Sequence, residues 1–296
     1  MKGADPNGTR RKTPDCRQTL IFKTVLIRRL GHALMRQQFA WLASRAGKAR
    51  PTMIWGMYLP RGGGPYGPDG DYEGPVDIYG DGWLHRLIKY GCEELSDEQR
   101  AFYGDGRRYA FCAIKKFHKE NGYRGPSPDD RIVQPIEKHE PPLFFQLKRG
   151  YRELSSIISL PGRIWAVDES VKQIIERLEP SLHSFYPVEI RMRRGKVYPV
   201  QYYVLVVGKY LESFSPEESD PYSFKPQEAN GVRWYILHGY KAEVTGLAFR
   251  KAMHANVHLW RERGLEEWLI CLSGELESAL REAKLKLPKY YRMIEV

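Results

Sequence analysis

The sequence predicts an α+β fold, a mainly antiparallel twisted sheet with packed helices, preceded by a smaller N-terminal helical region. Three observations predict it. Apolar residues recur at helical spacing between Trp83 and Phe117. Beyond residue 142 the pattern changes to short apolar runs bounded by turn residues, which read as strands. Within that second half, two segments repeat one order of strand, capping residue, helix and returning strand: IWAVDESVKQIIERLEPSLHSFYPVEI from Ile164 and LICLSGELESALREAKLKLPKYYRMIEV from Leu269.

Taken in order, MIWGMYL from Met53 reads as a first strand, and RGGGPYGPDGDYEG from Arg61 is so rich in Gly and Pro that regular structure is not expected there. Trp83, Leu84, Leu87 and Ile88 have helical spacing, and Ser96 with Gln99 forms a capping-box pattern that opens a second helix. Phe111, Ile114 and Phe117 mark a third, over residues 109–121, with Gly122 placed to end it. The proline-rich, charged stretch 122–142 reads as a connection.

Residues 189–192 and 197–207 flank a turn at 193–196, a hairpin pattern whose second strand is apolar on both faces and so belongs at the centre of a sheet. Further strands are expected at 231–237, 241–249, 257–260, 268–272 and 290–296. In the two echoed segments Asp168 and Ser273 stand where they can cap a first turn. Val171, Ile174, Ile175 and Leu178 then dock one helix on the sheet, and Leu276, Ala279, Leu280 and Leu285 the other. The chain thus divides into a basic extension (1–52), a mostly helical region with a Gly-rich loop (53–142) and an α+β domain (143–296).

The formal charge of +11 is concentrated at one end. Residues 1–50 hold twelve Lys or Arg against Asp5 and Asp15, a net +10, which leaves 35 basic and 34 acidic residues, a net +1, for the remaining chain. No nucleic-acid or membrane partner is therefore expected for the folded body. The extension reads as a flexible leader, or as sequence translated from upstream of the natural start. Lys23, Arg28 and Arg29 interrupt its best apolar run, so no membrane span is expected. Four cysteines without a Cys-x-x-Cys spacing suggest neither a disulfide framework nor a zinc knuckle, and fit a reducing, cytoplasmic setting.

The densest polar cluster is Asp69, Asp71, Glu73, Asp77 and Asp81. As a calcium loop it fails at the twelfth position, which is Gly80. His254 and His258 lie four apart without the glutamate of a zinc-protease helix, and Cys92, Cys112, His85 and His118 follow no recognised thiol pattern. No Walker loop, dinucleotide fingerprint or Gly-x-Ser-x-Gly elbow occurs, so no cofactor, metal or catalytic residue is assigned.

The stretch WAVDESVKQIIERLEPSLHSFYPVEI, the hairpin ending YYVLVV and the closing ICLSGELESALREAKLKLPKYYRMIEV resemble a bacterial immunity-protein family of polymorphic toxin systems, the family-eleven type, over roughly residues 143–296. The resemblance implies a non-enzymatic protein that binds a cognate toxin in the cytoplasm and blocks it sterically. It carries over no binding residues. Physical reasoning supplies a surface instead: Asp69, Asp71, Tyr72, Glu73, Asp77, Tyr79, Asp81 and Trp83, whose carboxylates and aromatics suit a basic partner. The acidic stretch 212–220 is a second candidate. Two rival readings stay open, a hydrolase using carboxylates of the 69–81 loop and a nucleic-acid or membrane module using residues 10–50.

Overall fold

The computed structural model describes residues 53–58, 63–75, 80–124, 131–237, 241–265 and 269–296; the expectations for residues 1–52 lie outside them. Among the described residues the first elements are β1 (Ile54–Tyr58), β2 (Gly70–Tyr72), α1 (Gly82–Glu93), α2 (Asp97–Tyr103) and α3 (Gly106–Lys115). There follow β3 (Phe144–Leu147), β4 (Ile157–Leu160), β5 (Ile164–Asp168), α4 (Glu169–Leu178), β6 (Ser184–Arg191), β7 (Tyr202–Val206) and β8 (Tyr210–Leu211). The last part holds β9 (Lys225–Ala229), β10 (Val232–Ile236), α5 (Lys241–Thr245), β11 (Ala248–Phe249), β12 (Leu259–Glu262), β13 (Leu269–Ser273), α6 (Gly274–Glu282), β14 (Tyr290–Arg292) and β15 (Ile294–Glu295).

These strands build an α+β architecture on two mainly antiparallel sheets, one ordered β2-β3-β6-β7-β5-β4 and the other β14-β1-β13-β12-β8. The echoed segments explain both. In the first sheet β5 leads through α4 to β6, with β7 inserted between them and β4 on the outer side of β5. In the second, β13 leads through α6 to β14, with β1 inserted between them and β12 on the outer side of β13. The order β4-β5-β7-β6 is matched by β12-β13-β1-β14. The two units differ by a permutation: β7 follows β6 along the chain, whereas its counterpart β1 comes from the other end of the described region.

Each helix is started by the residue the sequence marks for it. The Asp168 carboxylate accepts the Val171 amide at 2.9 Å, and the Ser273 hydroxyl accepts the Leu276 amide at 3.1 Å. α4 packs on β5 and β7, α6 on β13 and β1, and the two helices pack on each other. They share one apolar core with Trp165, Val167 and Leu205 from the first sheet and Met57, Ile270 and Leu272 from the second. Alternate residues of the same strands face outward into two further cores. Ile164, Ala166 and Val204 meet α1 and α3 through Trp83, Leu87 and Tyr109. Leu269 and Cys271 meet Val244, Leu247 and Phe249. β5 and β13 are therefore covered on both faces, which is why their sequences are apolar without alternation.

Several sequence expectations need correction. Gly70–Tyr72, inside the expected irregular loop, forms a strand against β3. A Cβ on Gly70 would stand 2.4 Å from the Gln146 carbonyl oxygen, so glycine here permits close pairing rather than breaking it. Residues 241–245 are helical, not extended; Lys, Ala and Glu favour a helix, and Val244 and Leu247 bury one side of it. The third helix runs over Gly106–Lys115 and buries Tyr109, Ala110 and Ala113, leaving Phe111 50% exposed. The turn expected at 193–196 forms, with Arg191 paired opposite Val197 and the amides of Met192 and Tyr198 donating to the carbonyls of Lys196 and Ile190, but Pro199 offers no amide to the ladder and β7 starts only at Tyr202. Among the described residues no helix is long and apolar enough to cross a membrane.

Candidate functional site

The residues proposed from the 69–83 stretch turn inward. Tyr72 and Trp83 are each 2% exposed, their rings tilted with centroids 4.8 Å apart, with the Tyr72 hydroxyl donating to the Pro161 carbonyl and the Trp83 indole N–H to that of Glu140. Asp71 accepts Lys148 Nζ at 2.7 Å. Glu73 receives Arg86 at 2.8 Å on each carboxylate oxygen, and the Leu143 amide besides. Asp81 caps α1 by accepting the Leu84 amide at 2.9 Å. Burial pushes the Asp81 carboxyl up, the amides of Leu84 and Tyr72 oppose this, and the nearby Asp71 and Glu73 charges add to the rise. Asp69, half-buried, lies 3.6 Å from Arg149. Asp77 and Tyr79 lie outside the described residues. Tyr72 and Trp83 therefore pack the core, where neither ring can meet a partner, and the three inward carboxylates hold this segment to its own chain.

The second acidic stretch is presented differently. Ser213, Ser215, Ser219 and Ser223 are buried, while Glu212, Glu217, Glu218, Asp220 and Tyr222 are exposed between and beside them. Three of these serines, Ser213, Ser215 and Ser219, fasten the loop from beneath. The Glu262 carboxylate accepts both the amide and the hydroxyl of Ser213 and the Phe214 amide. The Ser215 amide donates to Ala248, the Ser219 hydroxyl accepts the Ala248 amide at 2.8 Å, and the Asp220 amide reaches the Gly246 carbonyl at 2.9 Å. Phe214 anchors the same loop among Phe224, Tyr235 and Phe249. Tyr222, held by its amide on the Asp220 carboxylate, is 89% exposed. Sequence reasoning found the acidic residues here but not Tyr222.

Beside this loop opens a cleft of about 330 Å³ whose lining runs from Glu212 past Tyr210 and Arg261 to His118 and Tyr123, with Val232 and Arg233 of the β9–β10 hairpin on one wall. Parallel pairing of β8 with β12 sets Tyr210 opposite Arg261. Arg261 is 2% exposed and donates through Nη1 to the His118 carbonyl at 3.3 Å. Burial lowers its pKa from the ordinary value. At the rim, Arg263 grips Glu120 through two bonds of 2.6 and 2.7 Å and Glu212 through one of 3.0 Å, and these bonds raise its pKa further. The charged pair Arg261-Glu262 inside an otherwise apolar strand was the available sequence signal for this place.

The two histidines four apart hold structure together. His254 is buried and stacked 5.4 Å from Trp260, and His258 Nδ1 is 2.9 Å from the Ser273 hydroxyl.

In comparison with known proteins, a model described as an immunity protein family, Imm11, fits residues 104–294, more than half of the chain. It takes in the first echoed segment, all but the last two residues of the second, the 212–222 loop and the cleft, and leaves out the 69–83 stretch. No curated protein matches the chain.

Proposed function

The chain belongs to the Imm11 immunity protein family, and from that premise we propose that it binds a cognate bacterial toxin and neutralises it by covering the toxin's working surface. The inhibitor acts in the cytoplasm of the producing cell and carries out no reaction of its own. Three free cysteines among the described residues, Cys92, Cys112 and Cys271, fit a reducing compartment. The contact surface proposed is the 212–222 loop.

One observation carries that choice: Tyr222 stands 89% exposed beside Glu217, Glu218 and Asp220 on a backbone fastened by three buried serines, Ser213, Ser215 and Ser219. A rigid loop loses little conformational entropy on binding, an exposed tyrosine supplies contact area, and the carboxylates speed encounter with a basic partner. The test uses the cognate toxin domain, to be sought first in the adjacent gene. Tyr222→Ala combined with Glu217→Lys and Glu218→Lys is expected to weaken toxin binding at least thirtyfold, equivalent to about 2 kcal/mol, with unfolding unchanged. Full affinity in this variant, with the fold intact, would remove the loop from the contact surface.

A further inference from the structure

The chain runs from Tyr222 into the β9–β10 hairpin within three residues, and that hairpin supplies Val232 and Arg233 to one wall of the cleft. Glu212, at the other end of the 212–222 loop, stands on the rim. The cleft is therefore continuous with the surface proposed for toxin contact, and its chemistry states what part of a toxin it can hold. Its volume of about 330 Å³ lies at the low end of the range for ligand pockets, roughly 300–1,000 Å³. That is room for one large side chain.

The charges around the cleft are matched within the fold. Arg263 is bonded to Glu120 and Glu212, Arg233 to Glu228, and Arg261 to the His118 carbonyl, while the Glu262 carboxylate turns to Ser213, Phe214 and Trp260. A charged guest would have to displace one of these bonds; an uncharged one would not. Most of the surface offered inside is carbon, and Val232 is 43% exposed. An apolar seat inside a rim of charged groups bonded to one another is the anatomy of an interface hot spot, where polar surroundings keep water from a central anchor. Tyr123 and the guanidinium groups of Arg233 and Arg263 in the lining favour an aromatic anchor over an aliphatic one, because rings pack on rings and guanidinium planes stack on aromatic faces while their edges stay bonded to carboxylates.

We propose that the cleft receives one aromatic side chain of the cognate toxin, a Phe, Tyr or Trp, as the anchor beside the 212–222 loop. The inference rests on the toxin-binding reading and adds to it the kind of residue the toxin presents.

The experiment measures affinity and dissociation rate between the cognate toxin domain and the full chain, as wild type and as Val232→Asp, with urea unfolding as the check on the fold. Val232→Asp is expected to weaken the complex about tenfold or more, mainly through faster dissociation. That loss runs against charge, since a basic toxin would gain from an added carboxylate, so it reports the spoiled apolar seat. Alanine substitution of the toxin's exposed aromatic residues should find one whose loss is of similar size and is not additive with Val232→Asp. Wild-type affinity in folded Val232→Asp, or no such aromatic on the toxin, would overturn the proposal and leave the immunity reading standing. A wild-type chain that does not bind the toxin would sink both. A dimer of the chain alone that Val232→Asp dissolves would put a second copy in the cleft and overturn the proposal as well.

Discussion

Glu179, the residue that ends α4, accepts the backbone amide of Leu259, the first residue of β12, at 2.9 Å. The same carboxylate accepts the His258 amide at 2.8 Å and lies 2.8 Å from His183 Nε2. His183 Nδ1 in turn accepts the Gly208 amide at 3.1 Å. One buried carboxylate thus joins the helix end of the first unit to the strand start of the second. Glu179→Ala would leave the His258 and Leu259 amides without this partner, at about 1–3 kcal/mol each, so urea unfolding should show a loss of about 2–6 kcal/mol.

The same residue predicts a pH dependence. Burial pushes the Glu179 carboxyl up, but the His183 bond and the His258 amide outweigh it and hold the pKa below the ordinary value. A carboxyl whose pKa is lowered by folding stabilises the fold fully above its unfolded pKa, about 4.3, and loses that contribution as pH falls through the folded value. Stability measured by urea titration should therefore decline below about pH 5. In Glu179→Gln that decline should be shallower, because the titrating group is gone.

Lys116 and Glu140 form an ion pair whose side chains are 1% and 0% exposed. Glu140 also accepts the Tyr109 hydroxyl and the Glu137 amide, and its carbonyl holds the Trp83 indole. Removing one partner of such a pair strands a buried charge, at about 3–5 kcal/mol, whereas replacing both with apolar residues is often nearly neutral. Glu140→Ala should therefore destabilise far more than Lys116→Met with Glu140→Leu, and chemical denaturation of the three proteins measures the difference.

Gly91 of α1 and Gly106 at the start of α3 allow these helices to touch. A Cβ on Gly106 would lie 2.5 Å from the Ile88 carbonyl and 2.6 Å from Cys92 Sγ; one on Gly91 would lie 2.7 Å from the Gly106 Cα. Gly106→Ala should cost about 1–3 kcal/mol through overpacking, measured as a lowered unfolding midpoint. Cys92→Ala, which removes one of the obstructing atoms, should recover part of it.

What the sequence makes legible is what is decided within a few residues. Asp168 and Ser273 cap the helices they precede, Ser96 and Gln99 close their reciprocal box, and the echo of the two segments corresponds to two matching units. What it hides is decided by distant partners. β2 exists because β3 pairs with it, and nothing near Gly70 announces that. Tyr72, Trp83 and the 69–81 carboxylates looked like a contact surface because acidic and aromatic residues alternate there. The roles of Asp71, Glu73 and Tyr72 follow instead from Lys148, Arg86 and Pro161, which come near only in the folded chain. The cleft is equally non-local, since His118, Tyr210 and Arg261 belong to three separate stretches.

The central claim is that the chain is the antidote to a toxin made by the same cell. The direct measurement is survival of cells expressing the cognate toxin domain, sought in the adjacent gene, with and without this chain, together with copurification of the two proteins. Survival restored only when the chain is present, with a stable complex recovered, is the predicted result. Toxin-killed cells despite abundant folded chain, and no complex, would contradict it.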